Sequence, residues 1–577
     1  MSTGQGVNRS SRIHHARFEA VTVKQQKRRG APPATAAPVP LPLAAEGFLE
    51  RHGRGIAVAL VVVASIRIIA TYTVFNHTYD EPAHIACGME WLDKGVYRWE
   101  PQHPPLARVA TALGPYLLGT RCQNTPNVDL ASMTKEGLAI LYYGHHYDLT
   151  LALARLGVLP FFWIACLVVY GWGRRYFTPS VAVVAVFLFS FLPPVLAHAG
   201  LATTDMALTA FLGAAFLGAL IWVERPTLGH AALFGVCTGL AMLSKFSTLV
   251  FFPAGVGLAL AWYVVTERPN PGWLLGAARK RLPSFGLAVL VACLLTWAGY
   301  RFSFSKVPAP ELFQGIQDVM WHNAEGHPSF LLGERSNTGF WYFYPVVLAV
   351  KTPIAFLLLA AGGVTFAVRK REWFRCAGPP LAFSAGIVLV GLFTHINIGV
   401  RHILPVYIGF SLLAAAAAVQ WLELGRARKW ILIVVAVLVV WLAGSSLLSH
   451  PDYLAYFNEL AGGQPENILV DSDLDWGQDV KRLSARLHEA GAQQLTWVPL
   501  QVTEFEKEFG FPPIDTHMDV VNPAPGWTAV SMTVLKQRRL GLWDSYPGLT
   551  VWPDRIKPTE KVGKSIWLWY FPPGSAR

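Results

Sequence analysis

Eleven stretches of apolar residues, each about twenty long and so able to cross a membrane, recur along the chain. They fall near residues 55–75, 150–172, 179–198, 204–223, 228–244, 247–266, 284–303, 346–368, 378–396, 403–423 and 430–449. No water-soluble core accommodates so many. Each stretch can span roughly 30 Å of hydrocarbon as a helix, the form in which all backbone polar groups are satisfied internally. The expected fold is an all-α polytopic membrane protein with about eleven transmembrane helices. Hydrophobic residues make up 53% of the 577 and charged ones only 15%, which agrees with that class. The run 55–75 is too long for a signal-peptide core and no A-x-A-like site follows it, so it is expected to remain as a helix.

The net charge of +12 would suggest nucleic acid in a soluble protein. Here it is tested first against the asymmetry of the loops. Arg174-Arg175, Arg225, Arg268, Arg279-Lys280-Arg281, Arg369-Lys370-Arg371, Arg375, Arg426 and Arg428-Lys429 all fall on the side of the basic cluster Lys24 to Arg29. That side reads as cytoplasmic, and no nucleic-acid role is needed. Residues 1–50, with a Pro/Ala-rich stretch from Pro32 to Ala45, read as a disordered basic cytoplasmic tail. Residues 51–449 form the transmembrane domain. Residues 450–577 read as an extracytoplasmic α/β domain: a strand ending at Val470, an amphipathic helix near Gln478 to Glu489, and strands at Leu495–Leu500, Trp527–Leu535 and Ser565–Phe571. Cys166, Cys237 and Cys293 lie in apolar runs and read as packing residues, whereas Cys87 and Cys122 share a polar loop and can pair only if it faces an oxidising compartment.

The loop 76–106 puts Asp80-Glu81 just beyond the first span. Ionisable groups at a membrane exit need water, a partner or a substrate. Asp205, at the outer start of the fourth span, matches Asp80 in expected depth; it serves either as a helix cap or, with Asp80, holds a nucleophile or cation. Lys245, Lys351 and Arg401-His402 lie on the same outer side, against the positive-inside pattern. They either snorkel toward lipid phosphates or bind an anionic group. Gln102-His103-Pro104-Pro105-Leu106 opens a short apolar stretch ending near Gly119, expected to be an interfacial helix walling a cleft. Two further motifs carry less. Asp471 to Asp479 resembles a calcium loop at its first three acidic positions, but it lacks glycine at the sixth and has Arg482 at the twelfth. His322 to His327 lacks a metal-binding spacing and reads as a mobile outer loop.

Together these residues resemble the membrane glycosyltransferases of family 39, which include protein O-mannosyltransferases and the bacterial lipid A aminoarabinose transferases. The resemblance rests on Asp80-Glu81 with His84, on His103-Pro104-Pro105-Leu106, and on the segments around Asp205, Lys245, Lys351, Arg401-His402 and 471–479. His84 stands one residue further from the acidic pair than in the mannosyltransferases, and His103 stands where the lipid A enzymes have lysine. The resemblance implies a C-type glycosyltransferase fold in a bacterial inner membrane. It implies a polyprenyl-phosphate sugar as donor, a protein, glycan or glycolipid hydroxyl as acceptor, and an extracytoplasmic site. Asp80 would be the base of an inverting transfer and Asp205 would position the acceptor or the sugar. Glu81, His84, His103, Lys245, Lys351, Arg401 and His402 would contact substrate. No metal or other cofactor is required, because the leaving group is a monophosphate flanked by cations. A secondary transporter or lipid flippase is the rival class, but no internal repeat is found and the polar residues gather at one face rather than the midplane.

Overall fold

The computed structural model describes residues 48–125, 130–500, 508–537 and 551–574, so the basic tail expected at residues 1–50 lies, up to residue 47, outside the described residues. Eight described helices are long and apolar enough to cross a membrane: Phe48–Ile69, Tyr147–Tyr176, Asp205–Glu224, Thr248–Glu267, Pro271–Gly299, Arg371–Gly391, Val406–Gly425 and Lys429–Leu448. The seventeen-residue helix Leu228–Ser244 and two bent pairs occupy the other three expected positions. Neither bent pair is the continuous span expected from hydropathy. Pro179–Ser190 turns through 68° into Pro193–Ala199, and Phe343–Lys351 turns through 118° into Ile354–Arg369. Proline causes both breaks: it lacks the N–H that continues a helix and drives the residue before it to extended backbone, as at Leu192 and Thr352.

Elsewhere proline starts helices. The Thr178 hydroxyl accepts the Val181 N–H ahead of Pro179, and the Asn270 side chain accepts the Gly272 N–H ahead of Pro271. Two helices form the buried heart of the bundle, Val406–Gly425 and Asp205–Glu224, with 67% and 61% of their most apolar windows buried. Thr248–Glu267 and Pro271–Gly299 are peripheral, at 17% each, and present apolar side chains such as Leu260 and Leu290 outward. Gly235 and Gly239, four apart, let Leu228–Ser244 press onto Pro271–Gly299; a Cβ at Gly239 would stand 3.1 Å from the Ala292 carbonyl oxygen.

The two ends of the bundle differ. At the basic end, exposed ion pairs join helix termini: Arg175 to Glu224 at 2.6 Å and Arg375 to Glu267 at 2.8 Å. Arg281 adds a bond to the Val223 carbonyl at 2.8 Å. At the opposite end the loop 76–149 contains the helices Glu81–Met89, Pro105–Leu117 and Leu130–Tyr142. The segment 301–342 carries the helix Pro310–Glu325 and a hairpin, β1 (Ser329–Leu331) with β2 (Glu334–Ser336). His322 and Asn323 therefore lie in a helical turn rather than the mobile loop expected. His322 bonds Gln102 at 2.8 Å, and Asn323 accepts the Thr394 hydroxyl at 2.9 Å. Cys87 and Cys122 are buried free thiols.

Beyond residue 450, strands β3 (Leu495–Val498), β4 (Ile514–Asp515), β5 (Gly526–Ser531), β6 (Glu560–Val562) and β7 (Ile566–Phe571) form a sheet of order β4-β3-β5-β7-β6. β3 runs parallel to β4 and β5, and β7 antiparallel to β5 and β6. Val480, Leu483 and Leu487 of the helix Val480–Glu489 pack on Leu495, Trp497, Ala529 and Leu568, the apolar stripe expected of that amphipathic segment. Two expected strands differ. The segment ending at Val470 forms short 3₁₀ turns, because the Asp471 N–H goes to the Thr533 hydroxyl at 2.8 Å instead of a ladder. The run expected over Trp527–Leu535 is strand only to Ser531, and Met532–Gln537 is helical.

Candidate functional site

The ends of four elements bring four charged side chains together at the end of the bundle opposite the basic loops. Asp80 precedes the helix Glu81–Met89, and Asp205 opens Asp205–Glu224. Lys245 ends Leu228–Ser244, and Arg401 lies in the 3₁₀ turn Val400–Ile403 before Val406–Gly425. The Lys245 ammonium donates to Asp205 Oδ1 at 2.7 Å and Arg401 Nη1 to Asp80 Oδ2 at 2.8 Å. Arg401 Nη1 also lies 3.9 Å from Asp205 Oδ2. Asp205 thus caps no helix; its carboxylate joins both cations. The side chains of Asp205, Lys245 and Arg401 are 0%, 10% and 8% exposed, whereas Asp80 is 27% exposed, so the reachable carboxylate is Asp80.

Polar atoms around this cluster have capacity left over. Asp205 Oδ2, Arg401 Nε, His402 Nε2 and His198 Nδ1 are buried without a hydrogen-bond partner among the described residues. Buried polar atoms without partners are costly and unusual, and they suit a polar ligand. Burial, then the Lys245 and Arg401 charges, hold the His402 imidazole well below its ordinary pKa. His103 is pushed down to about 4 by burial, with Lys245 adding to the effect. His84 is held well below the ordinary range by burial and then by Arg108. All three imidazoles are neutral at pH 7, leaving two carboxylates balanced by two cations.

A buried network orients the histidines. Arg108 Nε donates to His84 Nδ1 at 2.9 Å, which leaves the His84 proton on Nε2. The same guanidinium donates to the Tyr97 hydroxyl at 3.0 Å, the Glu100 carbonyl at 2.7 Å and the Glu100 carboxylate. The His84 and His103 rings meet edge to face at 5.3 Å. The helix Pro105–Leu117, N-terminally started by its two prolines, carries Arg108 on its buried side.

Two residues expected to contact substrate are occupied by the protein. Glu81 is fully buried; its carboxylate accepts Arg155 Nε and Nη2 at 2.9 and 2.8 Å, the Thr78 N–H at 2.8 Å and the Ala202 N–H at 2.8 Å. Burial raises its pKa, but the Arg155 charge and these bonds outweigh burial and hold it below the usual value. Lys351, 1% exposed, donates to the carbonyls of Leu454 and Asp473 at 2.8 and 2.5 Å, and its ammonium lies 4.3 Å from the Phe457 ring centroid. These contacts tie the chain after the last transmembrane helix to the break at Thr352. Arg155, Arg108 and Trp476 were not among the residues expected at the site. Arg155 carried a signal, since a lone arginine in the apolar run 150–172 requires a buried partner. Arg108 carried none, and Trp476 stood in the segment 471–479 that shares in the resemblance without being singled out from it.

The acidic segment 471–479 does not converge as a calcium loop. Asp473 Oδ1 accepts the Val400 N–H at 3.1 Å, Asp475 accepts the Thr533 N–H at 2.9 Å, and Asp479 accepts the Ser565 hydroxyl at 2.8 Å. Among the described residues no three His, Cys, Asp or Glu side chains converge to hold a metal ion.

Residues 152–300 match the family model described as dolichyl-phosphate-mannose-protein mannosyltransferase. The matched segment includes Asp205 and Lys245, while Asp80, His103 and Arg401 lie outside it. No curated protein sequence matches the chain. Among solved structures, ArnT from Cupriavidus metallidurans in the apo state is similar with a TM-score of 0.48 at 14% identity, over 89% of this chain and 98% of that one. The same protein bound to undecaprenyl phosphate gives 0.49 at 14% identity and the same coverage. The archaeal oligosaccharyltransferase AglB from Archaeoglobus fulgidus, in complex with an inhibitory peptide and a dolichol-phosphate, gives 0.39 at 13% identity, over 68% of this chain and 56% of that one.

Proposed function

We propose that this chain is a membrane glycosyltransferase of the C type, similar to family 39, that moves a sugar from a polyprenyl-phosphate donor to an acceptor hydroxyl on the extracytoplasmic side. The observation that carries this reading is the charge chain Asp80–Arg401–Asp205–Lys245, in which Asp80 is partly exposed and Arg401 Nε and Asp205 Oδ2 have no hydrogen-bond partner among the described residues. Asp80 accepts the proton of the acceptor hydroxyl through Oδ1 while Oδ2 stays on Arg401. The deprotonated oxygen bonds to the anomeric carbon from the face opposite the phosphate. The bond from that carbon to the phosphate oxygen breaks, the configuration inverts, and polyprenyl phosphate leaves with the electron pair. Lys245 and Arg401 N–H groups meet the charge growing on the phosphate, where charge-assisted bonds in a site shielded from water are strong. Asp205 holds both cations at that position. Neutral His84, His103 and His402 line the cleft and add no charge to compete with the phosphate.

In this reading the exposed arginine pairs at the other end of the bundle face the cytoplasm of a bacterial inner membrane. The region after residue 450 then lies outside. The test is to incubate the purified protein with a panel of polyprenyl-phosphate sugars and candidate acceptors and to identify products by mass spectrometry. A glycosylated product with release of polyprenyl phosphate is expected; a protein that consumes no donor of the panel contradicts the proposal and reopens the transporter reading.

A further inference from the structure

Five of the connections that hold the charge cluster come from one loop beyond the last transmembrane helix, residues 471–480. Tyr79, next to Asp80, donates its N–H to the Trp476 carbonyl at 3.0 Å. Asn76 donates to the Gly477 carbonyl at 2.6 Å and accepts the Val480 N–H at 2.8 Å. On the other side, Ser472 donates to the Ile398 carbonyl at 3.0 Å, and Asp473 accepts the N–H of Val400, next to Arg401. Gly399 permits this approach, since a Cβ there would stand 3.2 Å from the Asp473 carboxylate. The loop is fastened to the sheet in turn. Asp475 accepts the Ser531 hydroxyl and the Thr533 N–H, and its carbonyl accepts the Thr533 hydroxyl at 2.7 Å.

At the centre of the loop the indole of Trp476, 2% exposed, lies against the guanidinium of Arg401 with Cζ 4.2 Å from the ring centroid. We propose that Trp476 is a positioning residue of the site: it closes one face of the Arg401 guanidinium, so that this cation presents only its edges, one to Asp80 and the other to the donor phosphate. The inference rests on the glycosyl-transfer reading above. Two features of the geometry support it. Arg401 Nη1 is committed to Asp80, while Nε is buried with no hydrogen-bond partner, so the edge not used by the protein is the one left for a ligand. The aromatic face and the Val400–Asp473 bond fix an otherwise flexible arginine before substrate arrives, which reduces the ordering cost of binding an anion.

The test uses the full chain in detergent and undecaprenyl phosphate as probe, with binding affinity and donor turnover measured for wild type, Trp476→Phe, Trp476→Leu, Arg401→Gln and the double variants. Affinity is expected to follow Trp, Phe, Leu, with Trp476→Leu about tenfold weaker, the size a desolvated cation–π contact supports. In the Arg401→Gln background the same changes at position 476 are expected to have no further effect. Should Trp476→Leu not fold, Trp476→Phe carries the same comparison with a loss of about twofold to threefold. Wild-type affinity in both variants, or a loss of equal size with and without Arg401, overturns the positioning role and leaves the proposed reaction standing. A wild type that neither binds undecaprenyl phosphate nor consumes any donor overturns both.

Discussion

Asp80 and Glu81 are neighbours in sequence and opposites in structure. The Glu81 carboxylate is fully buried and meets a bidentate guanidinium and two backbone N–H groups. Among the described residues the Asp80 carboxylate has one hydrogen-bond partner, Arg401, and it is the most exposed carboxylate of its cluster. A saturated buried pair contributes position: it pins the loop after the first helix to the helix Tyr147–Tyr176, because Arg155 also donates to the carbonyls of Tyr72, Phe75 and Asn76. In the proposed reaction the unsaturated pair of Asp80 and Arg401 carries the chemistry. Adjacency lets the first hold the second still.

Breaking the rigid pair is expected to give the largest effect on folding. Arg155→Ala leaves the Glu81 charge buried and uncompensated, a loss of about 3–5 kcal/mol, read as a large fall in thermal midpoint and in recovery of folded protein. An unchanged midpoint would remove the structural role. Lys245→Met acts on the open cluster. It takes away the proposed charge-assisted bond to the donor phosphate, about 1.5–3 kcal/mol, so the KM for donor should rise about tenfold to a hundredfold. The stability change should be smaller than at Arg155 because Arg401, 3.9 Å away, still faces Asp205. An unaltered KM would exclude Lys245 from the donor phosphate.

Acid sharpens the same contrast. His103 has a folded-state pKa near 4 against an ordinary 6.5, so the unfolded chain takes up its proton first as pH falls. The stability it contributes is complete above pH 6.5 and is lost between 6.5 and about 4. Glu81, depressed below the ordinary 4.5, loses its contribution only at lower pH. His103→Gln should therefore flatten the dependence of the unfolding midpoint between pH 6.5 and 4, whereas an unchanged slope would assign it to other groups. The smallest effect is expected at the far end of the bundle, where the Arg175–Glu224 pair is exposed. Arg175→Ala should change stability by no more than about 1 kcal/mol and leave transfer unaltered.

Much of the architecture was legible because a membrane imposes a coarse code: a run of about twenty apolar residues is a span, and loop arginines alternate by side. All eleven expected positions carry helices or bent helix pairs. The bends were not legible from hydropathy, which is blind to direction, although Pro193 and Pro353 marked their places. Of the residues named from sequence, Asp80, Asp205, Lys245 and Arg401 meet, because each stands at the end of an element facing the same way. Glu81 and Lys351 shared that location, yet their side chains turn to protein partners that lie far away in sequence, at Arg155 and Leu454. The role of Trp476 was hidden for the same reason. Its partner Arg401 is 75 positions earlier, and an acidic, Gly-containing stretch around it resembles an ordinary turn.

The central claim, that Asp80 does chemistry while its neighbour holds structure, is tested most directly by sugar transfer in purified Asp80→Asn. The account predicts a rate lower by about a hundredfold to ten-thousandfold, the share a positioned general base supplies, with a thermal midpoint close to that of the wild type. Transfer within tenfold of wild type by the folded variant would contradict it.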